Sequence, residues 1–140
     1  MEAGELMGYK FIEHTSDLMI EAEGDTFEHA LEDLSSGMFL QMGGENALEK
    51  DEFSVSAEAA NKEELVVKLL SEVLAECEIR GFLPKRLTIE NADLEKNKLK
   101  VTVKGEDKKY SENIIKGVTY HQLRVEKKEE KWVMQVLFDI

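Results

Sequence analysis

Residues 17–44, DLMIEAEGDTFEHALEDLSSGMFLQMGG, change their hydrophobic period midway, and that change decides the fold class. Over 17–24, Leu18, Ile20 and Ala22 alternate with Asp17, Met19 and Glu21, the two-residue period of a half-buried strand. Beyond Asp25 the spacing turns helical: Phe27, Ala30, Leu31, Leu34, Met38 and Met42 form one stripe along residues 26–42. Asp25 or Thr26 supplies the N-cap, and Gly43-Gly44 stops the helix. The diglycine is read as a helix stop and not as a phosphate loop, because it follows a helix instead of opening one.

On the N-terminal side, residues 8–13 (GYKFIE) read as a short strand, joined to 17–24 by the polar connector His14-Thr15-Ser16. On the C-terminal side, EFSVSAE (52–58) alternates, with Phe53, Val55 and Ala57 on one face. Asn61, with Glu64 three positions on, caps a second helix over 62–80, where Val66, Leu69, Leu70, Val73, Leu74 and Cys77 share a face. Gly81 and Pro84 close it and lead into a hairpin over 86–105, RLTIENADLEKNKLKVTVKG. A second hairpin, GVTYHQLRVEKKEEKWVMQVLFDI (117–140), turns around Lys127–Lys131. In its last strand Trp132, Met134, Val136 and Phe138 face one way, and Val133, Gln135, Leu137 and Asp139 the other. In its first strand strict alternation puts Thr119 and His121 on one face with Leu123 and Val125, and Tyr120 with Val118. The expected architecture is α+β: one domain over 1–140, about seven mostly antiparallel strands in a largely antiparallel sheet, and two long amphipathic helices.

The 140 residues include 30 acidic and 18 basic side chains, a formal charge of −12. Such a field repels phosphate backbones, so RNA is expected to be met only indirectly. It attracts cations and steers the protein toward a basic partner, or else serves solubility alone. One cysteine, Cys77, excludes an internal disulfide framework and fits a reducing, cytoplasmic compartment; its register assigns it to core packing. No apolar run reaches the 18 or so residues of a membrane span, and the acidic start of the chain lacks signal-peptide character.

Polar residues stand out at three places. Asp17 begins a strand beside the bend Glu13-His14-Thr15-Ser16, where a carboxylate either projects as a ligand or satisfies turn backbone groups. Asp139 and the α-carboxylate of Ile140 place two acidic groups one residue apart, a combination that a cation or hydrogen-bond donor relieves. If Asp17 joins them the site is rich in hard oxygen donors, suited to Ca²⁺, Mg²⁺ or Mn²⁺; a His14 ligand tilts the choice toward Mn²⁺ or Zn²⁺. The alternative is an ordinary exposed tail. The third place is Lys116-Gly117-Val118-Thr119-Tyr120-His121, whose lone strand histidine reads as structural before catalytic. No GxSxG, Walker loop or catalytic cysteine context supplies an independent active site.

Taken together these segments resemble the archease family. FIEHTSDLMIEAEGDTFEHALEDLSSGMF (11–39) is similar to its N-terminal signature, a His-Thr-Ala-Asp-like element before a strand and an amphipathic helix. IKGVTYHQLRVEKKEEKWVMQVLFDI (115–140) resembles its C-terminal signature, which closes on Phe-Asp-Ile. Ser16 stands where the family carries alanine, and LAECEIRGFLP (74–84) lacks its aromatic-rich helix end. The resemblance implies an accessory protein and not an enzyme, one that activates an RtcB-type RNA ligase by promoting GTP-dependent guanylylation and multiple turnover in tRNA splicing and RNA repair. It implies metal positions at Asp17, Asp139 and Ile140, with Lys116 as a partner or phosphate contact and His14 and His121 as further motif residues. A stand-alone metal-dependent phosphoesterase and an acidic chaperone or interaction module are the competing expectations.

Overall fold

The computed structural model describes residues 8–12, 17–109 and 114–140. The period change at Gly24 is realised as β2 (Asp17–Gly24) running into α1 (Phe27–Gln41). Thr26 is the cap, its Oγ1 accepting from the His29 N–H at 3.0 Å. β1 (Tyr9–Ile12) precedes them, and β3 (Asp51–Glu58) follows a single 3-10 turn at Gly44–Asn46. α2 (Lys62–Arg80) starts as its spacing predicts, with the Asn61 side chain accepting from the Glu64 N–H at 2.8 Å. It ends at Gly81, whose φ of 65° is left-handed and favours a residue without a Cβ. β4 (Leu83–Asp93), β5 (Lys98–Glu106), β6 (Gly117–Lys128) and β7 (Lys131–Asp139) complete the chain. No helix among the described residues is long and apolar enough to cross a membrane.

The class is α+β, with every strand neighbour antiparallel. The strands divide into two sheets, β1-β2-β7-β6 and β3-β5-β4, where the sequence suggests one. Alternation shows which face of a strand is buried but carries no record of its neighbour, and so cannot count sheets. α1 packs on β2 and β4, and α2 on β6 and β3, so each helix bridges the two sheets. Both helices are therefore buried on more than one side: beyond the predicted stripe, α1 buries Ser35, Gly37 and Phe39. A Cβ at Gly37 would meet the Tyr9 ring at 2.9 Å and Ile20 Cγ2 at 3.1 Å, so the missing side chain lets α1 close onto the first sheet. One hydrophobic cluster joins both helices to the inward faces of both sheets.

Two local irregularities matter. Pro84 lies within β4 beside a register shift between Pro84 and Arg86, at a sheet edge where the missing N–H is tolerated. In β6 strict alternation fails. Val118 pairs with Phe138, Thr119 with Leu137, and the ladder resumes only at Arg124 opposite Gln135. From Thr119 to Arg124, β6 advances five residues while β7 advances two. Thr119 therefore lies on the face opposite Val125, not on the same face as expected, because the wide bulge resets the alternation.

Asp33, on α1, carries a pH prediction. Burial raises its carboxyl above the ordinary 3.8, and Glu32 adds to the rise while His29 opposes it. The folded state thus holds this proton longer than the unfolded state. Below 3.8 both states are protonated and the carboxyl costs nothing; stability falls as pH rises through the raised folded value. Asp33→Asn is expected to flatten the pH dependence of urea unfolding above pH 4 and to stabilise the protein at neutral pH. An unchanged slope would show that Asp33 is not the group responsible.

Candidate metal centre

Register on the outward face of the first sheet builds the candidate site rung by rung. In one rung Lys10, Glu21, Gln135 and Arg124 lie side by side across the four strands. Its charges are matched: Glu21 lies 3.5 Å from Lys10 Nζ and 3.9 Å from Arg124. Arg124 also binds Glu126 at 2.6 Å, a hydrogen bond that lowers the Glu126 carboxyl and raises the guanidinium. The rung on the C-terminal side of β7 is apolar, with Ile12, Met19, Leu137 and Thr119; Met19 and Leu137 are both buried. The terminal rung is Asp17, Asp139 and Gly117.

Two carboxylates are thus direct cross-strand neighbours, with Cβ atoms about 5 Å apart by the geometry of such pairs. Asp139 is exposed and Asp17 partly buried, and the buried Met19–Leu137 rung lies beside them.

Lys116 is exposed and immediately precedes β6; its N–H donates to the Asp139 carbonyl at 2.6 Å. That bond ties the start of β6 to the end of β7 and holds Lys116 beside the acidic rung. Ile140 follows Asp139 and is half exposed. His121 falls within the bulge and has no register partner on β7; its N–H donates to Thr119 Oγ1 at 3.3 Å, while Thr119 Oγ1 donates to the Leu137 carbonyl at 3.0 Å. His14 lies outside the described residues. Asp17, Asp139, Lys116 and Ile140 therefore share one end of the sheet, and His121 sits farther along the edge strand.

Hard oxygen donors of this kind suit Ca²⁺, Mg²⁺ or Mn²⁺, so the residues present fit such an ion in part. Among the described residues no three His, Cys, Asp or Glu side chains gather around one point. Two side-chain carboxylates leave most of the six to eight positions of a hard cation to other donors. Cys77 is fully buried and its thiol is pushed up to about 12 by burial and by Glu76 and Glu78, which makes it core packing and no nucleophile. An open cleft of about 630 Å³ elsewhere, lined by Ser56, Lys68, Glu72, Asn91, Lys98 and Lys100, mixes both charges. Sequence reasoning did not single out the Lys10–Glu21–Arg124 rung or the bulge. The one local signal for the latter is the polar run His121-Gln122 interrupting an otherwise alternating strand.

Comparison with known proteins places the whole chain in a family. The Archease protein family matches residues 9–140. Archease from Pyrococcus abyssi is 30% identical over 139 residues, covering 94% of this chain and 98% of its own. Archease from Methanosarcina barkeri is 28% identical over 144 residues, covering 94% and 95%. The solution structure of Methanobacterium thermoautotrophicum protein 1598 has a TM-score of 0.76 at 20% identity, over 96% of this chain and 99% of that one, which speaks for the fold. The crystal structure of a Thermotoga maritima archease, described as a possible chaperone, has a TM-score of 0.65 at 25% identity, over 92% and 94%. A match across nearly all of the sequence, together with the shared fold, means that this chain belongs to the archease family.

Proposed function

We propose that this protein is a non-catalytic, metal-binding accessory protein of the cytoplasm that activates an RtcB-type RNA ligase, promoting its GTP-dependent guanylylation and its multiple turnover in tRNA splicing and RNA repair. The observation that carries this reading is the register pairing of Asp17 with Asp139, two acidic residues 122 positions apart that the fold makes neighbours. Asp17, Asp139 and the α-carboxylate of Ile140 hold a divalent cation, Ca²⁺, Mg²⁺ or Mn²⁺, with Lys116 beside them to contact the partner or a phosphate. When bound, the ion supplies charge neutralisation at phosphate oxygens. Donors from the partner complete the coordination that two side chains leave open. RNA meets this acidic chain only through the ligase. Buried Cys77, its thiol held protonated by burial, offers no nucleophile for a stand-alone phosphoesterase. The Thermotoga maritima relative's description as a possible chaperone favours a second reading, in which the acidic surface alone acts on a partner.

The deciding assay measures guanylylation of a cognate RtcB-type ligase with and without this protein. Stimulation is expected, and its absence would overturn the proposal. Turnover of model phosphodiesters by the purified protein with Mn²⁺, abolished by Asp17→Ala, would establish the phosphoesterase instead. A subtler expectation concerns Ile140: amidating its carboxylate, or extending the chain beyond it, is expected to weaken metal binding about 10-fold with the melting temperature preserved. Unchanged affinity by calorimetry removes Ile140 from the ligand set.

A further inference from the structure

An edge strand offers unpaired backbone groups to other chains, and proteins shorten, break or cover such edges. Three of the four edge strands here are treated in this way. β1 is four residues long, and β6 is interrupted by its bulge. β4 carries Pro84, and Glu32 of α1 accepts from the Ile89 N–H at 3.0 Å. β3 is the exception among the described residues: its eight residues keep unbroken register with β5 and have no strand on the other side.

Two bonds show which backbone groups of β3 are free. The Ala59 N–H donates to the Asn97 carbonyl at 3.1 Å. By the alternation of an antiparallel ladder, Asp51, Phe53, Val55 and Ala57 then turn their backbone groups toward β5. Glu52, Ser54, Ser56 and Glu58 turn theirs away, and the Glu58 carbonyl accordingly accepts from Lys68 Nζ of α2 at 2.9 Å. The backbone groups of Glu52, Ser54 and Ser56 have no bond among the described residues, and all three residues are exposed. Alongside them lies a groove of about 320 Å³ between β3 and α2, lined by Ser54, Val55, Ser56, Glu72, Ala75 and Glu76. Its charged groups are both carboxylates. Glu76 pairs with Arg80 at 2.8 Å, whereas Glu72 has no ion pair among the described residues.

We propose that the free edge of β3 accepts an extended basic segment of a partner protein as a fourth strand of the second sheet. The segment's main chain bonds Glu52, Ser54 and Ser56, which supplies affinity. A Lys or Arg on its α2-facing side lays an aliphatic stem over Ala75 and brings its charge to Glu72, which supplies selectivity. Charge decides against a second copy of this chain: β3, DEFSVSAE, holds three acids and no base, so two copies edge to edge bring like charges together. The net charge of −12 favours the same basic occupant. The site belongs to the second sheet and depends on neither the metal nor the ligase reading of Asp17 and Asp139, which lie on the first.

The test titrates the full chain with a blocked synthetic peptide of alternating threonine and lysine, about seven residues long, followed by amide NMR shifts. Shifts are expected at Glu52, Ser54, Ser56 and Glu72, with a Kd of about 0.1–1 mM. A peptide of alternating threonine and glutamate is expected to bind at least about 10-fold more weakly. Ser54→Pro removes an N–H that β5 does not use, and is expected to weaken binding about 10-fold with the melting temperature kept. If that variant fails to fold, Glu72→Lys carries the test, with an expected loss of about 10-fold. Equal affinity for the glutamate peptide, unchanged affinity in either folded variant, or shifts confined to another surface overturns the proposal. So does the absence of wild-type binding at about 5 mM peptide. A concentration-dependent dimer of the wild type that either variant abolishes would make the occupant a second copy and overturn it as well.

Discussion

Asp17→Asn and Asp139→Asn are each expected to reduce stimulation of the ligase by about 100-fold or more, with no loss of fold. Either change keeps the side chain's size and removes one of two facing charges. A site with two side-chain carboxylates loses half of that set with either substitution, and even outer-shell changes around bound metals cost 10–100-fold. In chelator the expected effect on stability has the opposite sign. Like charges opposite each other on neighbouring strands are unfavourable, so each variant is expected to unfold at the wild-type temperature or slightly above it. With metal present the order reverses, because only the wild type gains the stabilisation linked to binding. Thermal unfolding with and without Mn²⁺, read beside the guanylylation assay, separates these effects. Full stimulation by both variants would leave the acidic-surface chaperone reading in possession of the field.

Phe138→Ala is expected to lower unfolding free energy by about 3–5 kcal/mol, a large share of the roughly 5–15 kcal/mol typical of a domain. Phe138 is fully buried in the central strand β7, in register with Leu18 on one side and Val118 on the other. Deleting its ring removes a large apolar surface and leaves a cavity that two flanking strands cannot both close. The midpoint temperature is expected to fall by about 10–17 °C. Phe138→Leu, which keeps most of the volume, is expected to cost less than about 1.5 kcal/mol. Neighbouring positions thus answer opposite questions: position 138 governs whether β7 is held, and position 139 what it presents. A small effect of Phe138→Ala in urea unfolding would mean that the core repacks around the gap.

Much of this was legible before any coordinate. Thr26 and Asn61 as caps, Gly81 as a helix stop, and the faces of β3 and β7 are local properties, set by one residue's conformational preference or by the period of its near neighbours. The candidate ligands were legible for another reason: Asp17 and Asp139 are polar at strand ends within segments that match a family signature at both ends of the chain. The bulge was not legible, because alternation is a rule about an unbroken ladder, and Gln122 leaves the ladder through bonds from Gln135 and Thr119 that lie outside any short window.

By itself the sequence determined the elements, the inward faces of the unbroken strands β3 and β7, and the acidic character of the chain, since each follows from local periodicity and composition. Tertiary structure decided the rest: two sheets instead of one, helices buried on both sides, and above all the meeting of residue 17 with residue 139. Strand pairing is a contact between segments distant along the chain, settled by which register buries the most apolar surface. A sequence records what each strand offers to a partner; which partner accepts is resolved when the core closes around Ile20, Val136 and Phe138 and leaves the two aspartates side by side at its edge.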